Sequence, residues 1–241
     1  MSQSSSRPPC LVVFSGAGIS AESGIATFRD EDGLWHGHDP AEVANYHTWR
    51  QNYELVHEFY NQRRVDLGKA APNAAHHKVA QWETDFPGRV INITQNIDDL
   101  FERAGVTSTL HLHGFLRRLR NIATEELNDI GYAAFDTADD PQRIIKPDVV
   151  FFGESAPHYR VLGELAVNLN ERDTIVSIGS SGAVVNIDSL LLSTGAYGVL
   201  NMLDNKAGAI DENVWHKRLF EPATKAIETI DTIVAGRMKA A

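Results

Sequence analysis

Cysteine, basic charge and long apolar runs are all scarce in this chain of 241 residues. Its single cysteine, Cys10, excludes an internal disulfide and a zinc site built from four cysteines, and it fits the reducing cytoplasm, where we expect the protein. No apolar run reaches the roughly 18 residues of a membrane-spanning helix. Because 22 Lys and Arg stand against 32 Asp and Glu, the net charge of −10 disfavours non-specific binding to nucleic acid.

The N-terminal residues are polar and lack the apolar core of a secretory signal, so we expect residues 1–7 to form a disordered tail. Beyond them, runs of β-branched and apolar residues alternate with helical stretches. Strands are predicted at residues 11–14, 89–94, 109–112, 148–152, 174–178 and 198–203. Helices are predicted at residues 20–23, 45–67, 74–85, 98–104, 159–170, 185–192 and 222–239. The alternation predicts an α/β fold with a Rossmann-like, doubly wound parallel sheet.

Two stretches interrupt this alternation. Residues 31–72 are largely helical in pattern, and residues 116–146 are charged and rich in aspartate. We expect these two stretches to form a small, discontinuous, zinc-free helical domain or lid over the sheet edge. The Rossmann-like domain would then comprise residues 8–30, 73–115 and 147–241, and the cleft between the two domains is the expected ligand site.

Two glycine-rich turns each follow a predicted strand. The first, around Gly16 and Gly18, would let the backbone approach a phosphate and leave N–H groups free at a helix start. A dehydrogenase would continue with a second strand and an acidic residue about 20 residues on, but the next good strand begins only at residue 89, which disfavours hydride transfer. The second turn, from Gly179 to Gly182, is followed by a helix and a strand that carries Asn201. Two such turns suit one dinucleotide lying across the sheet edge.

Polar side chains follow two other strands. Gln95, Asn96 and Asp98 come after residues 89–94, where they indicate either a site at the sheet edge or an Asx turn in which Asp98 caps the next helix. His111 and His113 share one side of their strand. A lone histidine is commonly structural, but His113 lies at a strand end and is a candidate general base, because imidazole titrates near neutral pH. The pair could also bind a metal, yet no third ligand has a suitable spacing, so we expect no metal.

Together, five motifs of the chain resemble the sirtuin family in sequence and in order, over nearly the whole length. They are Gly16-Ala17-Gly18-Ile19-Ser20, Thr27-Phe28-Arg29, Thr94-Gln95-Asn96-Ile97-Asp98, His113-Gly114 and Gly179-Ser180-Ser181. The resemblance implies a large Rossmann domain with a small one, NAD as cofactor, and removal of acyl groups from lysines of protein or peptide substrates. The implied products are free lysine, nicotinamide and acyl-ADP-ribose.

The resemblance also implies roles for individual residues. His113 would deprotonate a ribose hydroxyl, and Asn96 would assist catalysis from the nicotinamide ribose. The implied cofactor-binding residues are Gly16, Ala17, Gly18, Ser20, Thr27, Phe28, Arg29, Gln95, Asn96, Ile97, Asp98, Gly179, Ser180, Ser181, Asn201 and Ala223. A further segment resembles the substrate clamp, in which an acyl-lysine peptide adds as an extra strand, although a plain buried strand would have the same pattern. Its residues are Val150, Phe151, Phe152, Gly153 and Glu154.

Tyr60 and Arg63 are three residues apart on a predicted helix and therefore share a face. An arginine fork binds a carboxylate bidentately, and a phenol adds one donor. Sirtuins that remove succinyl and malonyl groups carry this Tyr-x-x-Arg pair, so the resemblance predicts a desuccinylase and demalonylase, with deacetylase activity beside it. A solvated helix face with a chance arginine is the alternative.

The chain departs from the family in one respect above all. Most sirtuins carry two Cys-x-x-Cys pairs for structural zinc, and residues 116–146 contain none. Two alternatives to deacylation remain: an NAD-consuming ADP-ribosyltransferase or NAD hydrolase, and a non-catalytic NAD-binding sensor. The presence of His113 with Tyr60 and Arg63 favours the deacylase.

Overall fold

The structure is a computed structural model that describes residues 7–25, 37–204 and 209–239. Its strands are β1 (Leu11–Ser15), β2 (Val90–Thr94), β3 (Thr109–His111), β4 (Gly114–Asn121), β5 (Leu127–Asp129), β6 (Ile145–Val149), β7 (Thr174–Ile178), β8 (Tyr197–Met202) and β9 (Lys217–Phe220). Its α-helices are α1 (Pro40–Val43), α2 (Tyr53–Lys69), α3 (Ala74–Asp85), α4 (Leu100–Ala104), α5 (Arg160–Asn168), α6 (Ile187–Thr194) and α7 (Ala223–Lys239). Residues 20–23, predicted as helix, contain only the short 3₁₀ turn Ala21–Ser23, which follows a similar turn at Ala17–Ile19.

A six-stranded parallel sheet in the order β3-β2-β1-β7-β8-β9 forms the centre of the protein. Along β1, Leu11 and Val13 pack on one face with α3 and α7, while Val12 and Phe14 pack on the other with α5 and α6. The predicted doubly wound sheet is therefore confirmed. Strand order reverses between β1 and β7, and a ligand of such a sheet binds at the carboxyl ends of the strands beside that point.

The second sheet is small and antiparallel, in the order β5-β4-β6. The sequence pattern did not predict β4 or β5, and it placed β6 at residues 148–152 instead of Ile145–Val149. On β4 the buried residues Leu116 and Leu119 are three apart, because the pairing with β6 shifts register between Gly114 and Leu119. That irregularity breaks the period-two alternation by which a strand is recognised. The expectation of a helical lid for residues 116–146 is wrong in this respect, while the predicted domain boundaries stay a prediction.

A buried arginine joins the small sheet to α2. Arg64 donates to the carbonyls of Ala133, at 3.1 Å, and Leu116, at 3.3 Å, and also to the side-chain oxygen of Asn61 at 2.9 Å. Nearby, the hydroxyl of Tyr53 donates to Asp140. Guanidinium offers five donors in a rigid fork, so one residue satisfies several carbonyls of an otherwise irregular segment. These bonds join β4 and residues 133–140 to α2.

The structured part of the chain begins at a lower residue number than predicted. Arg7, which we expected in the disordered tail, donates to Asp173 at 2.8 Å, and residues 1–6 lie outside the described residues. No helix in the described part of the chain is long and apolar enough to cross a membrane. Within residues 7–25, 37–204 and 209–239, no three His, Cys, Asp or Glu side chains are grouped as metal ligands.

Candidate active site

The two glycine turns touch each other at the carboxyl ends of β1 and β7. The Gly18 amide donates to the Gly179 carbonyl at 3.0 Å, and the Gly16 amide donates to Ile178 at 3.1 Å. A Cβ on Gly18 would lie 2.7 Å from the Gly179 Cα, and Gly179 itself has a φ of +65°. Only glycine fits this approach, which brings the two turns together as one cradle. The sequence predicted two glycine turns at one sheet edge, and the structure brings the two turns into direct contact there.

Ser20 lies at the centre of a buried hydrogen-bond network beside the first turn. Its hydroxyl donates to Asp98 at 2.9 Å and accepts from the Asn96 amide nitrogen at 3.1 Å. His76, which the sequence analysis missed, contacts the same hydroxyl at 3.4 Å, and burial lowers the pKa of its imidazole to about 4. Burial also raises the pKa of Asp98. Since Asp98 accepts from the Leu100 amide too, it both caps a turn and takes part in the site.

A cleft of about 130 Å³ adjoins this network. The predicted site residues that line it are Ala17, Ser20, Tyr60, Arg63, Asn96, Ile97 and Asp98. The side-chain oxygen of Asn96 is buried and has no hydrogen-bond partner among the described residues. A buried acceptor without a donor is costly, so a ligand N–H or O–H at this point would be favoured.

His113 has a defined tautomer. Its Nδ1 lies 2.9 Å from the Gln95 carbonyl, which only accepts, so Nδ1 carries the proton and Nε2 carries the lone pair. Burial lowers the pKa of the imidazole and keeps it neutral. The Tyr159 hydroxyl donates to Nε2 at 2.6 Å, a contact that the sequence analysis missed. His113 is thus a neutral base whose acceptor nitrogen already receives a hydroxyl.

His111 supports the same turn from the neighbouring position. Its Nδ1 lies 2.8 Å from the Asn96 carbonyl, and its Nε2 lies 3.0 Å from the Glu102 carboxylate. His111 and His113 therefore reach adjacent carbonyls of one turn, which agrees with the prediction that the two side chains lie on the same side of the strand. Both ring nitrogens of His111 face oxygen acceptors, so this residue acts as a structural support of the turn rather than as a base.

Tyr60 and Arg63 lie on one face of α2 and both line the cleft. The Tyr60 ring stacks on Phe151 with centroids 5.7 Å apart, and burial raises the pKa of its phenol, which stays a hydrogen-bond donor. The Arg63 guanidinium lies 5.1 Å above the Phe59 ring. Its Nη2 lies 3.2 Å from Asp66, whereas its buried Nη1 has no hydrogen-bond partner among the described residues. The alternative of a solvated helix face does not describe these two side chains.

The segment predicted as substrate clamp is mostly irregular backbone. Strand β6 ends at Val149, and the Val150 amide donates to the His113 carbonyl at 2.9 Å. The Phe152 amide donates to Ala44 at 2.8 Å, and the Phe152 side chain is 52% exposed. The segment is therefore not a plain buried strand. Its backbone is bonded to His113 at one end and to Ala44, near the protein surface, at the other.

The carboxylate of Glu154 is bound within the predicted clamp segment. It accepts from the buried Lys146 ammonium at 2.8 Å and from the Phe151 amide at 2.9 Å. Gly153, with a φ of +84°, makes the turn that precedes it. The Glu154 side chain thus fastens the segment internally, and the role of its backbone in a substrate clamp stays a prediction. Lys146 was missed because no local pattern relates it to a residue eight positions away.

The remaining predicted cofactor residues in the described part of the chain lie at the ends of β2, β7 and β8 and at the start of α7. The Ser180 hydroxyl accepts from Gln95 at 2.8 Å, which joins the β2 and β7 ends. The Asn201 amide donates to the carbonyls of Leu219 and Glu221 at 3.0 and 2.8 Å, so this side chain holds the sheet edge. Ser181 follows the second turn, and Ala223 is the first residue of α7. The predicted residues Thr27, Phe28 and Arg29 lie outside the described residues.

Comparison with known proteins places this geometry in a family. Residues 16–186 match the Sir2 family. The chain is 43% identical over 246 residues to an NAD-dependent protein deacylase of Helicobacter hepaticus, with 92% of this chain and 96% of that protein covered. It is 38% identical over 232 residues to a protein of the same name from Campylobacter jejuni, with 95% and 97% covered.

Solved structures agree with the sequence matches. A mutant Sir2 homologue in complex with ADP-ribose has a TM-score of 0.80 and 31% identity, and covers 98% of this chain and 95% of its own. A Sir2 homologue–NAD complex has a TM-score of 0.79 and 32% identity, with 97% and 92% covered. The matched span, the identity and the shared architecture lead to one conclusion: this chain belongs to the Sir2 family, the sirtuins.

Proposed function

We propose that this sirtuin removes short acidic acyl groups, such as succinyl and malonyl, from lysines of protein or peptide substrates in the cytoplasm, with removal of acetyl as a second activity. The coarser activity, NAD-dependent protein deacylation, follows from membership in the family. The observation that carries the finer proposal is Arg63, which lines the cleft together with Asn96 and whose buried Nη1 has no hydrogen-bond partner among the described residues.

A carboxylate at the end of the acyl chain would complete the hydrogen bonding of Arg63. A hydrogen bond to a charged group contributes about 1.5–3 kcal/mol, and a guanidinium can receive a carboxylate with two parallel bonds. The Tyr60 phenol, three residues earlier on α2, supplies a further donor. An acetyl group has no atom to make these bonds, so the arrangement favours acidic acyl groups over acetyl.

The residues around the glycine cradle fit NAD. The approach of Gly18 to Gly179 leaves no room for a Cβ, which suits a turn that must come close to a pyrophosphate. Ser20, Asp98 and the unpartnered oxygen of Asn96 offer buried donors and acceptors for ribose and carboxamide groups. When bound, NAD supplies an electrophilic ribose carbon and the nicotinamide leaving group. The chain supplies the cradle, the polar network and an enclosed cleft.

His113 suits the role of general base toward a ribose hydroxyl. The bond from Nδ1 to the Gln95 carbonyl holds the ring in one orientation and leaves the Nε2 lone pair on the other side. The Tyr159 hydroxyl presently donates to that lone pair. A substrate hydroxyl would take the position of this phenol and pass its proton to Nε2, which is a proton transfer within hydrogen-bond reach.

The proposal is tested with one peptide sequence that carries acetyl-, malonyl- or succinyl-lysine, incubated with and without NAD. Mass spectrometry should show loss of all three acyl groups only with NAD, with kcat/KM for the acidic groups about tenfold or more above that for acetyl, which corresponds to one charged hydrogen bond. Faster removal of acetyl would contradict the proposal. Release of free ADP-ribose at the same rate without any acylated peptide would instead identify an NAD hydrolase, and no nicotinamide release at all would identify a sensor.

The pH dependence should reflect a neutral His113. Because burial lowers its pKa from the ordinary value of 6.5, the base is deprotonated at neutral pH and becomes protonated only as the pH falls through the lowered value. We therefore expect the midpoint of the acid-side fall in kcat/KM to lie below pH 6.5. Initial rates with the succinyl peptide at a series of pH values measure this midpoint, and a midpoint above pH 6.5 would contradict the assignment.

A further inference from the structure

Asp66 lies three residues after Arg63 on α2 and lines the same cleft. One of its carboxylate oxygens is 3.2 Å from the Arg63 Nη2. The other accepts from Gln62 at 3.0 Å and lies 3.6 Å from the Lys69 ammonium. The Asp66 side chain is 42% exposed and that of Arg63 is 20% exposed, so the carboxylate lies at the outer edge of the guanidinium.

Arg63 has a second support that does not involve Asp66. Its guanidinium lies above the ring of Phe59 at 5.1 Å, and the Phe59 side chain is buried. A cation held over an aromatic face keeps its position through that contact and through burial of its stem. The contact with Asp66 occupies Nη2, whereas the buried Nη1 has no hydrogen-bond partner among the residues that the structure describes.

We infer that Asp66 is a specificity-determining residue that competes with the substrate carboxylate for Arg63 and so limits the preference for acidic acyl groups. This inference rests on the proposed function. A carboxylate on Nη1 would share one guanidinium with the carboxylate on Nη2, and the two negative charges would repel each other. A neutral acyl group in the same cleft meets no such repulsion. Asp66 therefore sets the ratio between the two activities.

The matching experiment compares Asp66→Asn and Asp66→Ala with the unaltered protein on succinyl- and acetyl-lysine peptides. Glu58→Gln is the charge-matched control, since Glu58 is exposed on the same helix and lines a neighbouring groove instead of the cleft. Both Asp66 variants should raise kcat/KM for the succinyl peptide about fivefold, mainly through a lower KM, with acetyl removal unchanged; like charges across a partly solvated site interact at about that level. The gain should shrink as salt is raised.

Other outcomes overturn the inference. If Asp66 instead positions Arg63, Asp66→Ala lowers succinyl removal and Asp66→Asn, which keeps a side-chain acceptor, restores it. If neither variant changes the succinyl rate, or if Glu58→Gln raises it equally, the competition does not exist. Arg63→Met, assayed in parallel, distinguishes a failure of the Asp66 hypothesis from a failure of the proposed function. A selective loss in Arg63→Met with unchanged Asp66 variants removes only this inference, whereas equal losses on both peptides remove the proposed function itself.

Discussion

Replacing His113 with alanine should lower the rate of NAD-dependent deacylation of a succinyl-lysine peptide by about 10²- to 10⁴-fold, the usual contribution of a positioned general base. The reason is geometric. The bond from Nδ1 to the Gln95 carbonyl leaves Nε2 of His113 as the acceptor, and its lone pair already receives a hydrogen bond from the Tyr159 hydroxyl. Alanine leaves no group that can take this proton. Binding of NAD should survive, because the glycine cradle and Ser20 are untouched.

Single-turnover rates measured by mass spectrometry, together with NAD binding by calorimetry, check this prediction. His77→Ala is the matched control, since His77 is exposed on α3 and should tolerate the change without loss of rate. Thermal unfolding of both variants shows whether the fold is kept. A His113→Ala variant that retains more than a tenth of the rate would refute the role of this residue as the base.

The second large effect is expected from Arg63→Met. Methionine keeps the apolar stem but removes the charge, so removal of succinyl should fall about 30- to 100-fold, while removal of acetyl should change less than about threefold. The difference arises because only the acidic acyl group can bond to the fork at Nη1. Arg63→Lys should give an intermediate result, since an ammonium keeps the charge but cannot offer two parallel donors.

kcat/KM on matched succinyl and acetyl peptides measures this effect, with Arg172→Met, a change at an exposed arginine outside the cleft, as control. Equal losses on the two peptides would show that Arg63 supports the fold of α2 or the cleft as a whole and has no part in acyl selection. A loss confined to acetyl would contradict the carboxylate hypothesis outright.

The central sheet could be predicted because its strands carry their signal locally. Parallel strands are covered on both faces, so β1 and β7 are fully buried and mostly apolar, and each is followed directly by a glycine turn. The spacing of Tyr60 and Arg63 likewise encodes a shared helix face. Strand β4 was not predicted because two arginines separate its two buried leucines. A register shift in its pairing with β6 also breaks the alternation of buried and exposed residues that marks a strand.

The contacts that could not be predicted from the sequence join residues that belong to different segments of the chain. Tyr159 reaches His113 from 46 positions away, and Lys146 engages Glu154 across the turn at Gly153. No periodicity of the sequence relates the members of such a pair, since each contact depends on how separate segments of the chain pack together.

Because the chain lacks the cysteines of a zinc site, the conditions that destabilise the small sheet differ from those that destabilise a zinc-bound domain. Cysteine–zinc sites fail when a chelator removes the metal or an oxidant attacks the thiols. Here Arg64 and the Tyr53–Asp140 bond hold that region. Although burial opposes ionisation of Asp140, the bonds from Tyr53 and the Ile145 amide outweigh it and hold its pKa below the ordinary 3.8. The stability that the Asp140 carboxylate contributes is therefore fully present above pH 3.8 and is lost as the pH falls through its lowered pKa. Strong acid, and not removal of a metal, is thus the condition expected to destabilise this region.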